Sequence, residues 1–157
     1  MPAKKLKEFL DSENIKYVSI MHSRAYTSQE TAEMAHISGK ELAKTVMVKL
    51  DGHLAMAVLP ADEQVDLDLL KSNANAKKAV LATEGEFKNL FPQCETGAMP
   101  PFGNLYDQEV YVEESLTADD MIAFNAGSHS ELIQLSYNDY ARLVNPKVIR
   151  MSTKYIQ

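Results

Sequence analysis

The stretch that decides the fold is TVMVKL-DG-HLAMAVL, residues 45–59. Apolar residues alternate with other residues along Thr45–Leu50 and recur along His53–Leu59. Only Asp51 and Gly52 separate the two runs, and Asp-Gly is typical of the tight turns that join antiparallel strands. The pattern predicts a β-hairpin near the middle of the chain.

Strands and short helices alternate on both sides of this hairpin. The other predicted strands are 17–21, 79–82, 109–112, 122–125 and 131–137. The predicted helices are 4–10, 27–36, 65–72, 83–91, 117–121 and 138–144. Two of these helices open with capping-box spacing, Thr27 to Glu30 and Thr83 to Glu86. This order predicts a mixed α/β fold with a twisted, partly closed sheet.

Length and composition predict a single domain over residues 1–157. Of these residues 45% are hydrophobic, enough to bury a core. No apolar run approaches the ~18 residues that a membrane helix needs, and Met1 to Phe9 lack the apolar stretch of a signal peptide. The one cysteine, Cys94, cannot form an internal disulfide. We therefore expect a reducing, cytoplasmic location without membrane attachment.

The formal net charge of −6 argues against a protein that coats nucleic acid non-specifically, because such binding depends on phosphate neutralisation. The charge is uneven along the chain. Residues 1–90 hold 12 Lys/Arg against 13 Asp/Glu, whereas residues 91–157 hold 4 against 9. Any contact with a polyanion is therefore expected to use the first half and to neutralise few phosphates.

Lys44 is the first candidate functional residue. It shares strand parity with Val46 and Val48, so its side chain points the same way as theirs, whereas Lys49 has the opposite parity. An ammonium group aimed at the interior end of a sheet needs a partner, and an anionic substrate is one. The alternative is that Lys44 reaches back into water at the strand end.

The loop Gly97-Ala98-Met99-Pro100-Pro101-Phe102-Gly103 is the second candidate. Its prolines stiffen the backbone and its glycines allow close approach or positive φ. Such a loop can hold backbone N–H groups at a developing oxyanion. A rigid surface connection explains the same composition equally well.

His129, in Gly127-Ser128-His129-Ser130, is the third candidate, as a pocket residue or base; a hydrogen-bonded loop histidine is the alternative. The four histidines lack close ligand spacing, so neither a zinc site nor any cofactor is expected. Cys94 is a nucleophile only if a histidine lies nearby; otherwise it fills space as a small apolar residue.

These features, in this order, resemble the YbaK / prolyl-tRNA-synthetase-associated editing domain family. The resemblance extends from about His22 to Leu143. The matching segments are Ala43-Lys44-Thr45-Val46-Met47-Val48, Met56-Ala57-Val58-Leu59-Pro60-Ala61, Gly97 to Gly103, and Ala126-Gly127-Ser128-His129.

The resemblance implies a distorted, barrel-like mixed sheet surrounded by short helices. It implies hydrolysis of mischarged aminoacyl-tRNA in trans, without a protein nucleophile and with help from a ribose hydroxyl of the terminal adenosine. Lys44 would lie near that adenosine or the ester carbonyl, and Gly97 would supply a backbone donor. The expected substrate-binding residues are Pro101, Phe102, Gly127, Ser128 and His129.

The partner expected from this resemblance is the 3′ acceptor end of a mischarged tRNA carrying a small amino acid, and a synthetase is a further candidate partner. Two other hypotheses stay open. The same cavity could hold a nucleotide or a protein without catalysis, which suits the acidic surface. Alternatively, the chain could be a cysteine hydrolase that uses Cys94.

Overall fold

The computed structural model describes residues 3–22 and 41–154. Within those ranges the strands are β1 (Tyr17–Met21), β2 (Ala43–Leu50), β3 (His53–Pro60), β4 (Glu63–Val65), β5 (Ala79–Leu81), β6 (Glu109–Glu113), β7 (Met121–Asn125), β8 (Glu131–Ser136), β9 (Lys147–Ile149) and β10 (Ser152–Lys154). The α-helices there are α1 (Lys4–Ser12), α2 (Leu67–Asn73), α3 (Glu84–Phe87) and α4 (Tyr137–Val144). Short 3₁₀ turns cover Lys88–Leu90, Gly103–Leu105 and Glu114–Ala118.

The predicted hairpin is confirmed by the antiparallel pairing of β2 with β3, in register from Ala43 opposite Pro60 to Leu50 opposite His53. Asp51 has φ +52° and Gly52 has φ +85°, as a hairpin turn with two positive φ values requires. The Asp51 carboxylate also accepts the N–H groups of Lys77 and Lys78 at 2.9 Å. The turn therefore anchors the chain just before β5.

The strands form a five-stranded sheet, β5-β2-β3-β6-β9, a three-stranded antiparallel sheet, β1-β8-β7, and a β4-β10 pair. The five-stranded sheet is mixed, because β6 runs parallel to both β3 and β9. A parallel bridge between Leu42 and Ala123 joins the start of β2 to β7. The predicted mixed α/β class with a partly closed sheet is therefore confirmed.

Several element boundaries differ from the prediction. The helix expected over 65–72 starts at Leu67, because the Asp66 side chain caps it by accepting the N–H groups of Asp68 and Leu69 at 3.1 Å. The helix expected over 83–91 ends at Phe87 and continues as a 3₁₀ turn. The helix expected over 117–121 is a 3₁₀ turn over Glu114–Ala118. The helix expected over 27–36 lies outside the described residues.

No local pattern predicted β4, β9 and β10, each of which is three residues long. The C-terminal segment is held by Glu113, whose buried carboxylate accepts the N–H groups of Met151 at 2.8 Å and Ser152 at 2.9 Å. Its other oxygen accepts Ser115 N–H at 3.0 Å. Such contacts between distant parts of the chain leave no local pattern.

An aromatic cluster behind the 92–103 loop fixes that loop to the core. The fully buried Phe102 ring packs against Phe9, Phe124 and Tyr140, with centroids 5.3–6.2 Å away. The buried Tyr140 hydroxyl donates to the Pro101 carbonyl oxygen at 2.8 Å. Since a buried hydroxyl is costly to leave unpaired, this bond sets the position of the Pro-Pro segment.

Candidate functional site

Backbone hydrogen bonds bring together two loops that lie about thirty residues apart in sequence, 95–98 and 126–129. The N–H of Glu95 donates to the Gly127 carbonyl oxygen at 2.8 Å, and the N–H of Gly127 donates to the Ala98 carbonyl oxygen at 2.9 Å. Gly127 has φ +97° and Gly97 has φ +84°, a backbone region that favours glycine. Two of the three sequence motifs thus form one surface, which we call the paired-loop site.

His129 lies against the Gly97 loop through both its backbone and its side chain. Its Nε2 is 2.9 Å from the carbonyl oxygen of Thr96, and its backbone N–H donates to the Glu95 carboxylate at 3.2 Å. Because a carbonyl oxygen only accepts, Nε2 is the donor in this contact. A Cβ atom on Gly97 would lie 3.6 Å from His129 Cε1, so the ring directly borders that glycine.

The backbone N–H of Gly97 has a weak partner. Among the described residues it donates to the thioether sulfur of Met99, at 3.3 Å. A thioether accepts weakly, so a carbonyl or oxyanion is the better acceptor for this donor. The neighbouring N–H of Ala98, in contrast, already donates to the Glu95 carbonyl oxygen at 3.0 Å. The loop therefore presents one backbone donor beside His129.

Ser128 and Phe102 occupy supporting positions. Ser128 is buried, and its hydroxyl lies 3.3 Å from the Ser130 hydroxyl, inside the 126–131 turn. Phe102 has no exposed surface. The ring expected to line the substrate site therefore packs behind the loop and positions Pro101 and its neighbours.

Lys44 lies in β2 opposite Leu59 and is partly buried. The predicted parity is confirmed, since Val46 and Val48 pack in one apolar cluster whereas Met47 packs in another. The Leu42–Ala123 bridge is parallel, so β2 and β7 leave it in the same direction. From the bridge, β2 runs to Lys44, and β7 runs to the 126–129 loop. Lys49, which has the opposite parity, is about one-third exposed and pairs with Glu86 at 2.6 Å.

Cys94 has a different environment from that of a nucleophile. Burial raises the pKa of its thiol, and its sulfur lies 3.7 Å from the Tyr106 hydroxyl. Burial also raises the pKa of Tyr106 well above its usual value, and the thiol adds to that effect. Since the thiolate is the reactive form, this setting favours an inert, structural cysteine.

Two further observations concern the described residues only. Within 3–22 and 41–154 there is no group of three His, Cys, Asp or Glu residues that could hold a metal ion. In the same ranges no helix is both long enough and apolar enough to cross a bilayer.

Sequence reasoning missed Glu95, which contacts both loops at once. Its N–H, carbonyl oxygen and carboxylate bond to Gly127, Ala98 and His129 respectively. Glu95 stands only two residues before Gly97, yet a single acidic residue in a loop has no spacing that marks it. Only the pairing of the two loops reveals its position.

Comparison with known proteins identifies relatives of this chain. The model of the aminoacyl-tRNA editing domain family matches residues 22–143. The multifunctional Ser/Thr-tRNA deacylase ProXp-y of Escherichia coli K12 is 28% identical over 151 residues, which cover 92% of this chain and 89% of that protein. The sequence of the same name from Escherichia coli O157:H7 matches equally.

Solved structures share the fold. The hypothetical protein APE2540 superposes with a TM-score of 0.84 at 19% identity, covering 96% of this chain and all of that one. A candidate trans-editing enzyme for prolyl tRNA synthetase superposes with a TM-score of 0.81 at 17% identity, covering 97% of both chains. At these identities the structural likeness establishes the fold alone.

Proposed function

Because this chain belongs to the aminoacyl-tRNA editing domain family and is an aminoacyl-tRNA deacylase, we propose that it acts in trans on tRNA mischarged with a small amino acid. The whole chain, 1–157, forms one domain that receives the 3′ acceptor end of the tRNA in the cytoplasm. The relative ProXp-y is named as a Ser/Thr-tRNA deacylase, and serine and threonine are among the small residues that we propose for this chain. A synthetase remains a candidate partner.

The observation that carries the proposal is the Gly97 N–H, which has only the weak Met99 sulfur as acceptor among the described residues. In the reaction the ester carbonyl oxygen replaces the Met99 sulfur as acceptor of this donor, and negative charge develops on that oxygen as water attacks. A preorganised backbone donor is worth more in the transition state than in the ground state, because the charge appears only there. Gly97 is thus a catalytic residue of the proposed mechanism.

Lys44 supplies positive charge beside the terminal adenosine or the ester carbonyl. Its place in β2 supports this role, because β2 and β7 run parallel from the Leu42–Ala123 bridge and β7 leads into the paired-loop site. His129, Gly127 and Ser128 form the wall of the amino-acid pocket, while Pro101 and Phe102 hold the opposite loop. A wall formed by paired backbone is rigid, so it excludes amino acids with large side chains by steric contact. It distinguishes less well between small amino acids that differ by one methylene group.

No protein nucleophile is part of the proposed mechanism. An aminoacyl ester is already activated, so a positioned water, an oxyanion donor and a held substrate suffice. A ribose hydroxyl of the terminal adenosine helps to orient the water. The raised thiol pKa of Cys94 and its contact with the Tyr106 hydroxyl weigh against the cysteine hydrolase as the alternative.

The decisive experiment is deacylation of a panel of mischarged tRNAs by the purified protein. We expect release of serine, threonine, alanine or cysteine, and no release of phenylalanine or leucine. Equal rates on small and large residues would overturn the size-selective pocket. Binding of the tRNAs without release of any amino acid would instead support the non-catalytic binding module, which the net charge of −6 favours.

A further inference from the structure

Asn125, the last residue of β7, carries a buried polar atom without a partner. Its side-chain oxygen Oδ1 is inaccessible to solvent, and it has no hydrogen-bond partner among the described residues. Most buried polar atoms in folded proteins have a partner, so an unpaired one calls for an explanation.

The ladder neighbour of Asn125 is apolar, although Asn125 as a residue is partly exposed. It lies directly opposite Leu132 of β8, and paired residues of an antiparallel ladder face the same side of the sheet. Leu132 packs in a small apolar cluster with Leu42 and Ala123. Because this neighbour offers the amide oxygen no hydrogen bond, the oxygen is a candidate for ligand contact.

The strand arrangement places Asn125 level with Lys44. Leu42 and Ala123 form a parallel bridge and pack in the same cluster. Each of the two functional candidates stands two residues beyond that bridge, so alternation along the strands returns both to the same face. Asn125 is also followed directly by the 126–129 loop. Along β7, Asn125 is therefore the residue next to the paired-loop site.

We propose that Asn125 Oδ1 accepts a hydrogen bond from the free ribose hydroxyl next to the ester on the terminal adenosine of the tRNA. This inference rests on the proposed deacylase function and adds a substrate-positioning residue to it. An amide oxygen needs a donor, and the substrate brings three near its ester: the α-ammonium group, that ribose hydroxyl and, in serine or threonine, the side-chain hydroxyl. The side-chain hydroxyl is missing from alanine, and the positive charge of Lys44 on the same face disfavours a second cation, which leaves the ribose hydroxyl as the donor that every substrate shares. Donating to Asn125 leaves the hydroxyl oxygen free to accept from the attacking water.

The test compares how tightly the wild-type protein and its Asn125 variants bind two forms of a substrate analogue that cannot be hydrolysed. The probe is a short acceptor-stem hairpin RNA whose terminal 3′-amino-3′-deoxyadenosine carries serine through an amide, made with and without the 2′-hydroxyl. We expect the wild-type protein to bind the hydroxyl form about tenfold more tightly, the worth of a typical hydrogen bond. Asn125→Ala and the nearly isosteric Asn125→Leu are expected to bind both forms alike, because the two changes remove the same bond.

Retention of the hydroxyl preference in both variants would overturn the proposal, and so would its absence in the wild-type protein. Asn104→Ala is the matched control, an exposed asparagine in the 3₁₀ turn after Phe102, and it should keep the preference. Thermal unfolding gives a second readout: removing an unpaired buried amide should leave the melting temperature unchanged or raise it. A drop of several degrees in both variants would show a structural role instead. Failure of the wild-type protein to deacylate any mischarged tRNA would refute the proposed function itself.

Discussion

His129 Nε2 lies 2.9 Å from the carbonyl oxygen of Thr96, so the side chain of one loop holds the backbone of the other directly before Gly97. The backbone N–H of the same histidine also donates to the Glu95 carboxylate at 3.2 Å, which fixes the position of one loop relative to the other. These two contacts of His129 therefore set the distance between the wall of the proposed amino-acid pocket and the Gly97 N–H, the proposed oxyanion donor.

We expect His129→Ala to lower kcat/KM for a small aminoacyl-tRNA by about five- to tenfold, the effect of losing one hydrogen bond that orders the site. His129→Gln, which retains an N–H donor on a side chain of similar reach, should recover part of that loss. Single-turnover deacylation of seryl-tRNA checks both variants. If the glutamine variant is as slow as the alanine variant, the hydrogen bond to Thr96 does not explain the effect of His129 on the rate.

Glu113 predicts how stability depends on pH. Burial raises the pKa of this carboxyl, whereas the hydrogen bonds that it accepts from Met151, Ser115 and Ser152 lower it. Together the hydrogen bonds have the larger effect, so the pKa lies below its usual value. The unfolded chain then binds the proton more readily. The stabilisation is complete above the unfolded pKa of roughly 4.3 and is lost as the pH falls through the lower folded value.

Glu113→Gln should therefore lower the free energy of unfolding at pH 7 by about 1–3 kcal/mol, since an amide N–H would face backbone donors in place of one carboxylate oxygen. The deficit should shrink below about pH 4, because the stabilisation is lost as the pH falls from the unfolded pKa of roughly 4.3 through the lower folded pKa. Urea unfolding at both pH values measures it. Glu109→Gln on the same strand is the control: its ion pair with Lys147 is more than half exposed, and exposed pairs contribute little. Equal losses in the two variants would contradict the role of the buried carboxylate.

Short-range sequence patterns predicted the features of this protein that depend on residues close together in the chain. The Asp51-Gly52 turn and the shared face of Val46 and Val48 follow from the positive-φ requirement and the two-residue repeat of a strand. The Thr83–Glu86 capping box was likewise predicted, and Glu86 accepts Thr83 N–H at 2.8 Å.

Contacts across the chain could not be predicted in this way. The motifs named Gly97 and His129 separately, but the hydrogen bonds between their loops depend on how β7 meets β2 at the Leu42–Ala123 bridge. Phe102 illustrates the same limit: its motif suggested a pocket residue, and only its packing on Tyr140 places it in the core.

Lys44→Ala is expected to lose most of the deacylation rate, at least tenfold, or about 1.4 kcal/mol of transition-state stabilisation. Folding should stay intact, because the change removes a partly buried ammonium without leaving a large cavity. Cys94→Ser should retain activity, and a chelator should have no effect. Deacylation assays with a circular-dichroism melt check all three. An active Lys44 variant together with a dead Cys94 variant would establish the cysteine hydrolase instead.

Gly97 and Gly52 offer a matched pair of substitutions, because they share nearly the same backbone. Their φ values are +84° and +85°, so an alanine at either position adopts a left-handed conformation that costs roughly 1–2 kcal/mol. No atom lies within 4 Å of a Cβ at Gly52, whereas a Cβ at Gly97 would contact the His129 ring at 3.6 Å.

Both alanine variants should therefore lose a similar amount of unfolding free energy, but only Gly97→Ala should lose activity. Relief of the left-handed strain at Gly97 would turn its N–H away from the ester, and the added methyl group would occupy space next to His129. We expect a rate at least tenfold below wild type, or about 1.4 kcal/mol of transition-state stabilisation, measured in single-turnover deacylation with each variant folded. If Gly52→Ala is equally impaired, general destabilisation explains the loss; if Gly97→Ala is fully active, the Gly97 N–H is not the oxyanion donor.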